Sequence, residues 1–171
     1  MPHFLVDQFR FTRSEWLRSL EGVTDEDAAQ QLGSLNCISW IVGHMAWHEQ
    51  RYWLTLAQDR TPHPLLNELV ASGGPRTTPS YSEMRAIWVD VTAQADPYLD
   101  GLTAETIHTV LQQHGPIWVQ SVGSGLQRVI YHYWYHLGEI QAIRQMLGHT
   151  DLPEFVGEIE VEAPFRLSND E

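Results

Sequence analysis

The chain is poor in cysteine. Cys37 is the only thiol in 171 residues, which excludes an intrachain disulfide and fits a reducing, cytoplasmic setting. Long apolar runs are also missing. No stretch reaches ~18 uncharged apolar residues, so no membrane-spanning helix is expected. The opening segment, Met1-Pro2-His3-Phe4-Leu5-Val6-Asp7, has no basic stretch leading into an apolar one, and no secretory signal is read there. Basic charge is scarce: 10 Lys and Arg stand against 22 Asp and Glu, for a formal net charge of -12. Such a chain repels phosphate backbones and shows no basic stripe, so nucleic acid is not an expected partner. Anionic membrane surfaces are disfavoured for the same reason.

What is present suits a globular protein. Hydrophobic residues make up 43% of the chain, an ordinary share. The length fits one domain that can bury a core without staples. A bound metal would therefore serve function more than folding. Seven tryptophans are many for this length.

Periodicity divides the chain into helices. Phe9, Trp16, Leu17 and Leu20 recur at helical spacing, and Gly22 offers a stop. Thr24 with Asp27 reads as an N-cap and a capping carboxylate opening one or two turns. Ser39 to Gln58 reads as a long helix with Ile41, Met45, Tyr52 and Leu56 in one apolar sector. Residues 59–80, with Pro62, Pro64, Gly73, Gly74, Pro75 and Pro79, read as a long connection without helix. Ser80 to Glu83 matches a capping box ahead of a helix to about Leu102, which Pro97 should shorten or kink. Ile107 to Trp118, around Gly115-Pro116, suggests a short hairpin or two extended arms. Ser124 to Leu147 forms the last long helix, stopped by Gly148. The alternating run Gly157-Glu-Ile-Glu-Val-Glu reads as a weak strand or extended arm. The expected fold is all-α: a four-helix bundle with a long crossover between the second and third main helices. Residues 1–149 form the domain and 150–171 an acidic C-terminal extension.

The chemistry lies in histidines. His132 and His136 stand one helical turn apart and share a face with Val129, Glu139, Ile143 and Leu147. Polar groups on an apolar seam need partners, because leaving one buried and unpaired costs about 1–3 kcal/mol. A lone histidine there would more often be a hydrogen-bonded core residue. Two at this spacing, with His44 on a second apolar helix, make a divalent metal site an even match for that reading. Three imidazoles leave an open coordination position, the pattern of catalytic rather than structural zinc. His48, one turn beyond His44, is a possible extra ligand, a partner that orients a ligand, or a packed core residue. Glu139 is placed to orient a ligand imidazole or to act as a base. Glu49 reads as solvated or as a neighbour of a ligand. His3, His63 and His149 fall in terminal or loop-like segments and are expected to be exposed. His108 and His114 flank the hairpin and are not expected to bind metal. Cys37, ahead of a helix, reads as a small buried hydrophobe, and Ser121 or Ser124 as a helix cap.

These residues resemble the DinB-like superfamily of metal-binding four-helix proteins. Gly43-His44-Met45-Ala46-Trp47 is similar to the family's Gly-His-Leu-Ala-Trp helix. His132-Tyr-Trp-Tyr-His136-Leu-Gly138-Glu139-Ile140 is similar to its His-x-x-x-His-x-Gly-Gln-Ile helix. The likeness spans nearly the whole chain up to Gly148. It implies an up-down-down-up bundle, a metal held by His44, His132 and His136, and frequent dimerisation. Characterised relatives are thiol-dependent transferases or isomerases, and a related domain serves an iron-dependent sulfoxide synthase. Two departures stand out: Glu139 replaces the usual glutamine, and His48 replaces a different residue.

The expected function is a metal-dependent enzyme that activates a small thiol or water for transfer or hydrolysis on a small molecule. The alternative is a non-enzymatic module that binds metal or ligand. Zinc, nickel, iron and manganese all suit imidazole ligands. A homodimer is expected from the dense aromatics around Tyr131, Tyr133 and Trp134, and from the resemblance.

Overall fold

The computed structural model describes residues 3–111 and 120–166. Over these residues the protein is all-α. Its α-helices are α1 (Phe4–Ser19), α2 (Asp25–Ala29), α3 (Ile38–Glu49), α4 (Leu66–Leu69), α5 (Tyr81–Asp100), α6 (Val122–Met146) and α7 (Ile159–Glu162). No helix among the described residues is long and apolar enough to cross a membrane.

Local chemistry accounts for most boundaries. Thr24 and Asp27 form the reciprocal capping box that opens α2. Ser80 caps α5 by accepting from the Glu83 N–H, and Ser121 caps α6 by accepting from the Ser124 N–H. Gly22 and Gly148, read as stops, adopt φ of 74° and 87°, a region that only glycine enters without strain. Pro97 sits in the last turn of α5 and the helix continues to Asp100.

Several expectations need correction. The helix starting near Ser39 does not stay α-helical: from Gln50 to Leu56 it becomes a π-helix. The wider turn rephases the side chains, so Leu54 is wholly buried while Leu56 is only partly so. Nor is α3 amphipathic. Every residue from Ile38 to Glu49 is buried, because α2, α4, α5 and α6 all pack on it. The connection 59–80 contains the short α4. The alternating run after Gly157 is a helical turn, α7, with Val161 exposed. No strand edge among the described residues lies ready to pair with it. Of the expected hairpin or arms, the described residues show one antiparallel bridge, Val110 to Ser121, beside a 3-10 turn at Thr106–His108. The expected Gly115-Pro116 turn and His114 lie outside the described residues.

The core forms where α1 packs on α6 and α3 packs on α5 and α6. Phe9, Trp16, Trp53 and Tyr133 are its largest wholly buried side chains. Gly43 sets how closely α3 approaches its neighbours. A Cβ there would stand 2.5 Å from Met84 Sδ and 3.1 Å from Val70 Cγ1.

A charged network crosses this core. Glu49, read as solvated or beside a ligand, is 0% exposed. Arg13 grips it through Nε at 2.7 Å and Nη2 at 2.5 Å, and also reaches Asp96 at 2.7 Å. Tyr133 donates to Glu49 Oε1 at 2.6 Å and accepts from Trp88 Nε1 at 2.7 Å. The described part of the tail contacts α1. Gly157 N–H donates to the buried Glu15 carboxylate at 3.1 Å, and Gln8 donates to the Ala163 carbonyl at 2.7 Å.

Candidate metal centre

α3 brings His44 and His48 to one end of the core, and α6 brings His132 and His136 to the same place. His44 Nε2 lies 3.3 Å from His132 Nε2, which lies 3.0 Å from His136 Nε2. The three residues form a group able to hold a metal ion, with ligand atoms all within 4.8 Å of one another.

Each outer ring is held from behind. His44 Nδ1 donates to the Val70 carbonyl at 2.7 Å, and the His44 ring stacks on Trp40 and Trp47 at 4.7 and 5.3 Å. Val70 closes α4, so the connection read as featureless supplies an orienting carbonyl. His136 Nδ1 lies 2.8 Å from Glu139 Oε2 and donates to it. With both Nδ1 atoms protonated, the Nε2 atoms of His44 and His136 carry lone pairs, and both aim at His132.

His132 cannot satisfy that demand alone. Its Nδ1 is buried and has no hydrogen-bond partner among the described residues. A proton on Nε2 would be shared between two acceptors and leave Nδ1 bare. A proton on Nδ1 would be buried unpaired, with three lone pairs converging. A divalent cation at the convergence resolves both problems. Metal–nitrogen bonds of about 2.0–2.1 Å in a tetrahedral set place nitrogens roughly 3.3 Å apart, close to the two separations here. The residues present fit a metal ion.

The electrostatics agree. Burial pushes His44 down to about 4, against a smaller upward pull from the Val70 carbonyl. Burial and then His136 push His132 down to about 3. Both are therefore neutral near pH 7, the state in which imidazole binds metal. In metal-free protein these depressed values carry a pH dependence. Unfolded histidine takes up a proton below ~6.5 while the folded rings do not. Stability is thus full above ~6.5 and is expected to fall as pH drops toward 4. Denaturant titrations across that range check this. A His44→Gln, His132→Gln double variant should flatten the slope, and an unchanged slope would assign it to other groups.

His48 is buried but outside the three-nitrogen group. Its ring lies 4.0 Å from that of His132 and 4.8 Å from that of Tyr52, and its Nδ1 has no partner among the described residues. His63 pairs with Asp90 at 2.7 Å, His149 approaches Asp27 at 3.6 Å, and His3 caps α1. These three are partly rather than fully exposed. His108 is exposed. Cys37 is buried at the start of α3.

A cavity of about 670 Å³ opens onto His44, His48 and His132 and is walled in part by Trp47, Arg51, Tyr52, Arg128 and Tyr131. The sequence reading missed both arginines as site residues. Their spacing was legible: Arg51 follows His48 by three residues and Arg128 precedes His132 by four, so each shares a helix face with a histidine.

The profile of the DinB superfamily matches residues 8–140, well over half of the chain. The chain belongs to the DinB superfamily. The match covers both histidine-bearing helices through Ile140 and ends before the tail. No curated protein matches the chain.

Proposed function

We propose that His44, His132 and His136 hold a divalent metal ion and that this DinB-superfamily protein activates a small thiol or water for transfer or hydrolysis on a small molecule. The convergence of three imidazole nitrogens that cannot satisfy one another is the observation that carries the reading. A divalent ion there supplies Lewis acidity, which lowers the pKa of a thiol or water beside it. The chain's residues do the remainder. Val70 and Glu139 lock two rings so that Nε2 faces inward, and the Glu139 charge makes the His136 ring a better donor of its lone pair. In this reading Glu139 is a positioning residue rather than a base, since it sits behind His136. The cavity takes the substrate, with His48 and Tyr52 on its wall. Zinc, nickel, iron and manganese all remain compatible with the donor set.

Four long helices, α1, α3 with its π extension, α5 and α6, would form an up-down-down-up bundle with 59–80 as the crossover. Residues 1–149 would form the domain and 150–171 an acidic extension. A buried, unpaired Cys37 fits the cytoplasm.

The enzyme reading is tested by a turnover screen of metal-loaded protein with several low-molecular-weight thiols, an aryl halide and activated esters. Turnover that disappears on chelation is expected. Full metal occupancy without turnover on any combination would favour the non-enzymatic binding module instead.

We also propose a homodimer, which keeps Tyr131 of the aromatics first expected and moves the rest of the contact along α6. Tyr133 is wholly buried against Glu49 and supplies no free surface, and Trp134 is partly buried near Phe11 and supplies little. Tyr131, Tyr135, Gly138, Ala142 and Met146 are exposed along one face of α6. A Cβ at Gly138 would meet nothing within 4 Å, so a second copy could approach closely there. Light scattering should give twice the chain mass, and Ala142→Glu should halve it. A single-chain mass at every concentration would sink the proposal.

A further inference from the structure

The cavity beside the histidines carries the opposite charge to the molecule. The protein has a formal net charge of -12, and every one of its 10 basic residues is an arginine. Several are committed to carboxylates: Arg10 to Asp100, Arg13 to Glu49 and Asp96, Arg18 to Glu15, Arg166 to Asp7. Arg51 is not. It lies over the Trp47 ring, 5.6 Å from its centre, and meets no carboxylate among the described residues. Arg128 lines the same cavity from α6. Both guanidiniums oppose the upward shift that burial imposes on the Tyr52 phenol, so both charges act on the same wall.

No Asp or Glu is among the described residues lining this cavity. Three neutral imidazoles leave the charge of a divalent ion undiminished, and Glu139 approaches from behind His136 rather than from the cavity. Two arginines are added to that. Positive charge gathered in a partly enclosed space calls for anions. Hydroxide or thiolate at the metal would answer only part of it. Arginine's planar fork matches carboxylate and phosphate oxygens. The volume of about 670 Å³ is in the range of small-molecule sites, ~300–1,000 Å³. Trp47 and Tyr131 give it apolar walls.

We propose that the cavity binds an anionic small molecule whose carboxylate or phosphate is held by Arg51 and Arg128, with its reacting end toward His44 and His132. This rests on the reading of the three histidines as a metal centre. It goes further by naming the charge of the substrate and the residues that select it.

The test is calorimetric titration of metal-loaded protein at low ionic strength with succinate, inorganic phosphate and neutral succinamide. At least one anion is expected to bind and succinamide to bind undetectably. The better of the two anions distinguishes a carboxylate from a phosphate ligand. Arg51→Gln and Arg128→Gln should each weaken anion binding about tenfold or more, while metal content and melting temperature stay at wild-type levels. Both arginines are exposed, so neither change threatens the fold. Anion binding that both variants leave intact would place the anion on the metal alone and overturn the proposal. Binding of succinamide as tight as that of the anions, or no anion binding, would overturn it too. Loss of the metal reading looks different: wild-type protein would take up no metal, while the same titrations of metal-free protein would still report on the two arginines.

Discussion

His132→Ala is expected to lower metal affinity by more than about 100-fold. Losing a group that merely orients a ligand costs about 10–100-fold, and His132 is the nitrogen on which the other two converge, at 3.3 and 3.0 Å. Two imidazoles do not make a closed site for any of the four metals. His44→Ala and His136→Ala should fall in the same range. His63→Ala should leave metal content unchanged, because its ring is engaged with Asp90. His48→Ala should have a small effect. The metal-free proteins differ in an informative way. Removing His132 takes away one of three opposed nitrogens and a buried Nδ1 with no partner among the described residues. The metal-free variant should therefore melt no lower than metal-free wild type, whereas the wild type alone gains stability when metal is added. Elemental analysis with parallel melting curves reads both quantities. Full occupancy in His132→Ala would remove it from the centre.

The second large effect lies in the charged network. Glu49→Ala should destabilise the protein by about 3–5 kcal/mol, because it strands the Arg13 guanidinium in the core. Glu49 holds Arg13 through both of its oxygens and is 0% exposed. Asp96 still reaches Arg13 but is partly exposed and compensates only in part. For a chain of this size the loss corresponds to roughly 6–20 °C in melting temperature. Tyr133→Phe removes one donor to Glu49 and one acceptor for Trp88. It should cost less, about 1–3 kcal/mol. Urea titrations separate the two. An effect of Glu49→Ala below about 1 kcal/mol would mean that water reaches the pair and that the network is not the tie between α1, α3 and α6.

Much of the site was legible because its signals are local. One helical turn relates His132 to His136 and three residues relate His136 to Glu139, so α6 alone carries that part. The caps at Thr24 and Ser80 and the glycine stops at Gly22 and Gly148 are equally local, and the structure has them. What stayed hidden depends on neighbours. Glu49 looks like a surface carboxylate until α1 brings Arg13 to it. Val70 looks like part of a loop until its carbonyl meets His44. The surrounded position of α3 defeats amphipathic counting, since a helix packed on all sides has no polar face to mark its inner one. The π-helix at Gln50–Leu56 shifts the side-chain phase where periodicity assumes a constant turn. Tyr133 was read with the surface aromatics because nothing in α6 reveals that Trp88 and Glu49 both bond its hydroxyl.

The central claim is a metal ion among three imidazole nitrogens. Anomalous diffraction from crystals of the purified protein, recorded at the zinc, nickel, iron and manganese edges, tests it most directly. A single anomalous peak is expected about 2.0–2.2 Å from the Nε2 atoms of His44, His132 and His136, on the side facing the cavity. No peak there at any edge after saturating metal, or a peak bound by other residues, would contradict it.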